Sequence, residues 1–167
     1  MTVIYIRHAK DKKDRCEHDE RLTEEAKEDV KEFTKKLIEE NGFPDIIYYS
    51  PYYRTRQTTK YMLKQIKRMD ESKKVKISIE PKLGRFFTSK ERKNPDIHES
   101  TQRRNPIIHE DKKGFHARIK KHLKSVSKKG QDKVIWNVTH TLVLLRVASL
   151  LNIERDPHVE YLDVVTF

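Results

Sequence analysis

Arg7 and His8 stand side by side at the end of an apolar run, Val3-Ile4-Tyr5-Ile6. An arginine holds an anion and a neutral imidazole attacks it, so the pair suits the binding and transfer of an anionic group. Two other stretches carry groups of the same kind. "SPYYRTRQTT", 50–59, follows the strand-like "DIIYYS" and brings Arg54 and Arg56. "NVTHTL", 137–142, closes the run "KVIWNVT" and brings His140. Two histidines, at least two arginines and the positive ends of helices together make a phosphate site. The histidines show no metal-ligand spacing, and this chemistry requires neither a metal nor another cofactor.

Those side chains meet only if the elements behind them share one sheet. Residues 2–6 read as a short buried strand. Ala26, Val30, Phe33, Leu37 and Ile38 mark one face of a helix over 23–41, capped by Thr23, favoured by Glu24 and Glu25 and ended by Gly42 and Pro44. A second strand, 45–50, leads into a helix with Ser50 as N-cap and Pro51 in its first turn. That helix runs to about Arg68, with Thr55, Thr59, Met62 and Ile66 inward. Residues 74–80 alternate as a third strand. Residues 81–113, rich in Lys, Arg, Asn and Pro, read as a long irregular excursion. Phe115, Ile119, Leu123 and Val126 mark a helix over 114–128, 133–139 a fourth strand, 141–151 a helix buried nearly all round, and 159–167 a last strand. The alternation predicts one α/β domain over 1–167, with a largely parallel sheet covered by helices on both faces. In such a sheet the three junctions lie along one edge, where ligands bind.

Charge points the same way. The 167 residues include 37 Lys and Arg against 26 Asp and Glu, a net charge of +11. That balance favours a phosphorylated small molecule or phosphoprotein as substrate, and a polyanion such as RNA as a further contact. The basic runs 64–76 and 120–133 would supply that contact, although no nucleic-acid-binding motif accompanies them, and most such lysines form a solvated helix face. No stretch approaches the roughly 20 apolar residues of a membrane span. The N-terminus lacks a basic segment followed by an apolar one, so no signal peptide is expected. A single cysteine, Cys16, excludes an internal disulfide and fits a reducing, cytoplasmic location. Trp136 reads as core. Arg56 reads as solvated, and His18, His98, His109, His116, His122 and His158 as surface or structural histidines.

Three motifs, in order, resemble those of the histidine phosphatase superfamily, the phosphoglycerate mutase-like fold. Arg7-His8-Ala9 matches its opening motif. Ser50-Pro51-x-x-Arg54-x-x-Gln57-Thr58 matches the second in full, and Thr139-His140 the last, with Thr141 where glycine is usual. "DERLT", 19–23, is similar to a pattern of the small phosphohistidine phosphatases. The resemblance implies that His8 becomes phosphorylated and that Arg7, Arg54 and His140 bind the phosphoryl oxygens. Thr141, beside His140, and Arg85, through its charge, are further candidate substrate contacts. It implies hydrolysis of a phosphomonoester or a phosphoramidate. The alternatives are a catalytically weak phosphate- or RNA-binding module of the same fold, and a nucleic-acid 5′-phosphatase. One departure bears on mechanism: where many members have Leu-x-Glu, with the glutamate as proton donor, this chain has Leu83-Gly84-Arg85. Glu91, Asp96 and Glu99 in the excursion are the candidate replacements, or the reaction proceeds with none and prefers leaving groups that depart easily.

Overall fold

The strand residues divide the core in two because successive side chains of a strand point to opposite faces. In β1 (Thr2–Arg7), Val3 and Tyr5 enter one core cluster, and Ile4 and Ile6 the other. β2 (Ile46–Tyr49) and β4 (Val134–Thr139) divide in the same way, Ile46, Tyr48 and Ile135 against Ile47, Trp136 and Val138. The second face is covered by α1 (Glu24–Asn41) and α2 (Tyr53–Met69), through Ala26, Val30, Leu37, Met62 and Ile66. The first is covered by α3 (Lys112–Lys129) and α4 (Thr141–Leu150), through Phe115, Ile119, Leu123, Val143, Leu144 and Val147. The result is the three-layer α/β/α arrangement expected. This computed structural model describes residues 1–12, 21–87, 110–129 and 131–167. Cys16, His18, Asp19 and Glu20 of "DERLT", Glu91, Asp96, His98, Glu99 and His109 lie outside the described residues.

The five strands lie in the order β3-β2-β4-β1-β5, where β3 is Lys76–Ile79 and β5 is Val164–Thr166. β3, β2, β4 and β1 are mutually parallel, and β5 runs antiparallel to β1. The carboxyl ends of β1, β2 and β4 therefore open on one edge. Local signals behave as their chemistry requires: Thr23 Oγ1 accepts from the Ala26 N–H at 3.0 Å, and Gly42, at φ 79°, closes α1 with an N–H donated to the Ile38 carbonyl.

Five local expectations are corrected. α2 starts at Tyr53, so Ser50 is not its N-cap and Pro51 lies before its first turn; Tyr52 holds the cap position without a side-chain bond. β3 is shorter than 74–80 because it is an edge strand with one partner, and Ile77 and Ile79 stay about half exposed. The excursion begins packed rather than irregular: Pro81–Leu83 forms a 3₁₀ turn, Leu83, Phe86 and Phe87 are buried, and Phe86 stacks on Phe115 at 4.7 Å. α4 buries one face only, with Leu142 turned out to solvent. Residues 159–163 are not strand, because Leu162 takes a φ of 61° and turns the chain before β5. Among the described residues no helix is long and apolar enough to cross a membrane.

Candidate active site

Strand register brings the two histidines together. Arg7 pairs with Thr139, so His8 and His140 are the next residues on adjacent parallel strands. The His8 N–H donates to the Thr139 carbonyl at 3.0 Å, and the two rings lie 5.4 Å apart at 63°. On the other side of β4, Tyr49 pairs with Val138, which sets Ser50 beside the same edge. Its Oγ is 2.8 Å from His140 Nε2.

His8 is 5 % exposed. Its Nδ1 lies 2.9 Å from the Ala9 carbonyl oxygen, which can only accept, so Nδ1 carries the hydrogen and Nε2 keeps its lone pair. Burial, reinforced by the Arg54 charge and to a smaller extent by Arg7, pushes the His8 pKa down to about 3, against an opposing pull from Asp11. The ring is neutral throughout the physiological range, with a lone pair on Nε2.

His140 is oriented by the same logic. Arg54 Nη2 lies 3.4 Å from its Nδ1, and a guanidinium only donates, so Nδ1 is the acceptor. Nε2–H then donates to Ser50 Oγ, whose hydroxyl reaches Thr55 Oγ1 at 2.9 Å. Thr55 in turn donates to the carbonyl of Tyr52 or of Ser50. Burial first, then the charges of Arg54 and other cations, holds the His140 pKa well below the usual histidine value.

The second motif is the scaffold of this corner. Arg54, in the first turn of α2, is 8 % exposed. Thr58 Oγ1 donates to the Arg54 carbonyl at 2.8 Å and accepts the Ala9 N–H at 3.1 Å, tying the residue after His8 to the helix. Gln57 Oε1 accepts the Leu22 N–H at 2.8 Å and fixes the chain leading into α1. Thr139 Oγ1 donates to the Leu83 carbonyl, tying the excursion's start to the end of β4. Arg56 faces solvent, as expected.

Arg7 leaves β1 toward the C-terminal segment. It donates to the Val159 carbonyl, and its guanidinium lies 4.1 Å over the ring of Tyr161, which is itself 5.8 Å from His8. Arg85 lies 5.0 Å over the Phe87 ring, and its charge contributes to the low pKa of His140. Thr141 is the first residue of α4 and half-buried. The edge thus gathers His8, His140 and Arg54 in direct contact or one ring apart, with Arg7 behind Tyr161 and Arg85 at the flank.

Two members of the site are not anticipated by the sequence reading. Asp11, 7 % exposed, accepts from Arg54 Nη1 at 3.3 Å through Oδ2 and from the Tyr161 hydroxyl at 3.4 Å through Oδ1. Its spacing of three from His8 was the available signal, hidden in the charged run "KDKKD". Tyr161 was hidden in a segment that reads as strand. Elsewhere His122 is structural and fully buried: its Nε2–H donates to Asn137 Oδ1 at 3.1 Å, and burial pushes its pKa down to about 4. The 3.8 Å approach of Glu80 to its Nδ1 is therefore not an ion pair at neutral pH. His116 meets Arg146 and His158 meets Glu160.

A family model described as histidine phosphatase superfamily (branch 1) matches residues 3–159, a span that contains all of these site residues except Tyr161. A search of the curated proteins finds no match. Among solved structures, phosphoglycerate mutase from Bacillus anthracis str. Sterne matches with a TM-score of 0.69 at 19 % identity, over 99 % of this chain and 86 % of that one. The protein histidine phosphatase SixA complexed with tungstate gives 0.68 at 15 % identity, over 99 % and 86 %. A phosphoserine phosphatase from Entamoeba histolytica in complex with 3-phosphoglyceric acid gives 0.65 at 18 %, over 99 % and 89 %. At these identities the likeness establishes a shared fold.

Proposed function

The chain belongs to the histidine phosphatase superfamily, and on that premise we propose that it hydrolyses a phosphomonoester or a phosphoramidate through a phosphohistidine on His8. One observation carries this reading: His8 is held with Nδ1–H on the Ala9 carbonyl, leaving Nε2 to attack, in a buried pocket shared with His140 and Arg54. In the first step a bond forms between Nε2 and phosphorus while the bond from phosphorus to the leaving oxygen or nitrogen breaks. Water then attacks the phosphohistidine and releases inorganic phosphate. Arg54, in reach of His140 and Asp11, supplies forked donors to the charge spread over the transferring oxygens. Arg7 and Arg85 add positive potential. A screen of phosphohistidine peptides, sugar phosphates, aryl phosphates and nucleotides, run on the wild type and His8→Ala, tests the assignment. Turnover of the best substrate at wild-type rate by His8→Ala contradicts it.

A second observation favours an anionic macromolecule as partner. A groove of about 1110 Å³ lies between α2 and the β3 edge, and Arg56, Lys60, Lys64, Lys67, Lys73 and Lys74 line it, with Glu71 as the one carboxylate among the described residues that line it. It occupies a face of α2 other than that of buried Arg54, so it serves docking rather than chemistry. An RNA strand is the partner it suits, its phosphates meeting the lysines. Oligoribonucleotide binding should fall steeply with salt and drop about tenfold or more in the triple variant Lys60→Glu, Lys64→Glu, Lys67→Glu, with phosphatase activity on a small ester unchanged. Equal binding by the variant sinks this partner.

A further inference from the structure

We propose that Asp11 is the proton-carrying residue of this site and makes it select the singly protonated form of the phosphoryl group. The proposal rests on the phosphatase reading above and adds the acid which that reading lacks. Arg85 occupies the family position of the proton donor, and an arginine side chain does not give up its proton at physiological pH. Asp11 is a carboxylate already inside the pocket. It is three residues beyond His8, and the chain around it is fixed by pairing with Leu22 and by the Lys12 N–H donated to the Arg21 carbonyl at 2.8 Å. One oxygen meets Arg54, the arginine of the second motif, and the other meets Tyr161, whose ring lies against both His8 and Arg7.

A carboxylate in an anion pocket has a consequence for the anion. A phosphate dianion taking the Arg54 guanidinium sets two negative charges next to a third. A monoanion instead presents a P–OH that donates to the Asp11 oxygen. The charged and titratable groups around Asp11 include Lys10 and Lys12 beside it in the chain, Arg54 from α2, Tyr161 from the segment before β5, Arg7 and His8 from the end of β1, and His140 ahead of α4, with Arg85 at the flank. His8 and His140 are held neutral in the physiological range, so neither supplies the proton. The substrate does. As His8 Nε2 bonds to phosphorus, Asp11 takes the P–OH proton and passes it to the leaving oxygen, which departs as the alcohol. The phosphorylated ring and the restored carboxylate then each carry one net negative charge, as substrate and Asp11 did before. In the second step Asp11 accepts a proton from the attacking water, and dihydrogen phosphate leaves once that proton is returned.

Two measurements test this. The first is calorimetric binding of inorganic phosphate between about pH 5.5 and pH 8, a range that spans its second ionisation. Wild type should lose about tenfold in affinity as the dianion replaces the monoanion, and Asp11→Asn should flatten or reverse that trend. Wild-type affinity that holds or rises with pH overturns the proposal, as does an Asp11→Asn profile parallel to wild type. The second is kcat/KM for aryl and alkyl phosphates of rising leaving-group pKa. Wild type should show a shallow dependence, and Asp11→Asn should lose about 10²–10⁴-fold on alkyl esters while nearly keeping the most activated aryl ester. A steep wild-type dependence overturns the proposal even if the variant fails to fold. An equal loss on every ester also overturns it, reducing Asp11 to a brace for Arg54. Loss of phosphate binding and of all ester hydrolysis in the wild type is a different result, which removes the phosphatase reading and this proposal with it.

Discussion

Both histidines of the proposed site have their proton position dictated by a neighbour that can only accept or only donate. The Ala9 carbonyl fixes His8, and Arg54 fixes His140. In the proposed reaction Arg54 is thus used twice, as a charge for the phosphoryl oxygens and as the donor that sets the second imidazole. Its fork reaches Asp11 and His140 together, a geometry that an ammonium cannot reproduce. Arg54→Lys should therefore keep the fold yet lose on the order of 10²–10³-fold in kcat/KM, the scale of removing one preorganised donor. A lysine variant within a factor of about three of wild type would show that charge alone suffices.

At the scale of elements, the site is a product of strand register and of one helix turn. Pairing of Arg7 with Thr139 puts two histidines abreast, and Thr58 clamps the residue that follows the first of them. Thr58→Val keeps the shape but leaves the buried Ala9 N–H without its acceptor. It should cost about 1–3 kcal/mol of stability, read by urea unfolding, and slow turnover by loosening the Ala9 carbonyl that orients His8. A variant with unchanged stability and rate would mean that the strand alone positions the nucleophile. This clamp was legible as part of a motif, and so were His8, Arg54 and His140, because each motif directly follows a short apolar run that reads as a buried strand. Asp11 and Tyr161 were not legible, since the partners of Asp11 lie 43 and 150 residues away in sequence. Nothing local distinguishes such a carboxylate from the solvated charges beside it. The run "VEYLDVVTF" has strand composition throughout, and only the backbone turn at Leu162 makes its first part a loop that delivers Tyr161. Ser50 misled for a related reason: its hydroxyl suits a helix cap, but His140 and Thr55 claim it instead.

For the molecule as a whole, buried neutral histidines set the acid limit of stability. His8, His122 and His140 all have folded pKa values below the ordinary 6.5, with burial the largest cause in each. The unfolded chain therefore binds more protons once the pH falls under about 6.5. Stability is fully present above that pH and is lost as the pH drops toward about 4, the His122 value. The loss has a slope of up to roughly 1.4 kcal/mol per pH unit for each histidine. The midpoint of urea unfolding should fall steadily from neutral pH into this window, and His122→Asn should shift less with pH than the wild type. A midpoint that stays level or rises on acidification would contradict the buried, neutral state of these rings. The same charge economy extends outward: the surface carries the excess of cations, while the pocket balances Arg54 against Asp11 at its centre.

The central claim is covalent, so it is tested by trapping the covalent species. Rapid quenching of the enzyme with a turned-over phosphorylated substrate, into alkali, should give a chain carrying one phosphoryl group that survives base and is lost in acid. Peptide mapping should place it on His8, and His8→Ala should carry none. Phosphate found on another residue, or rapid turnover with no phosphorylated chain in either protein, would contradict the account.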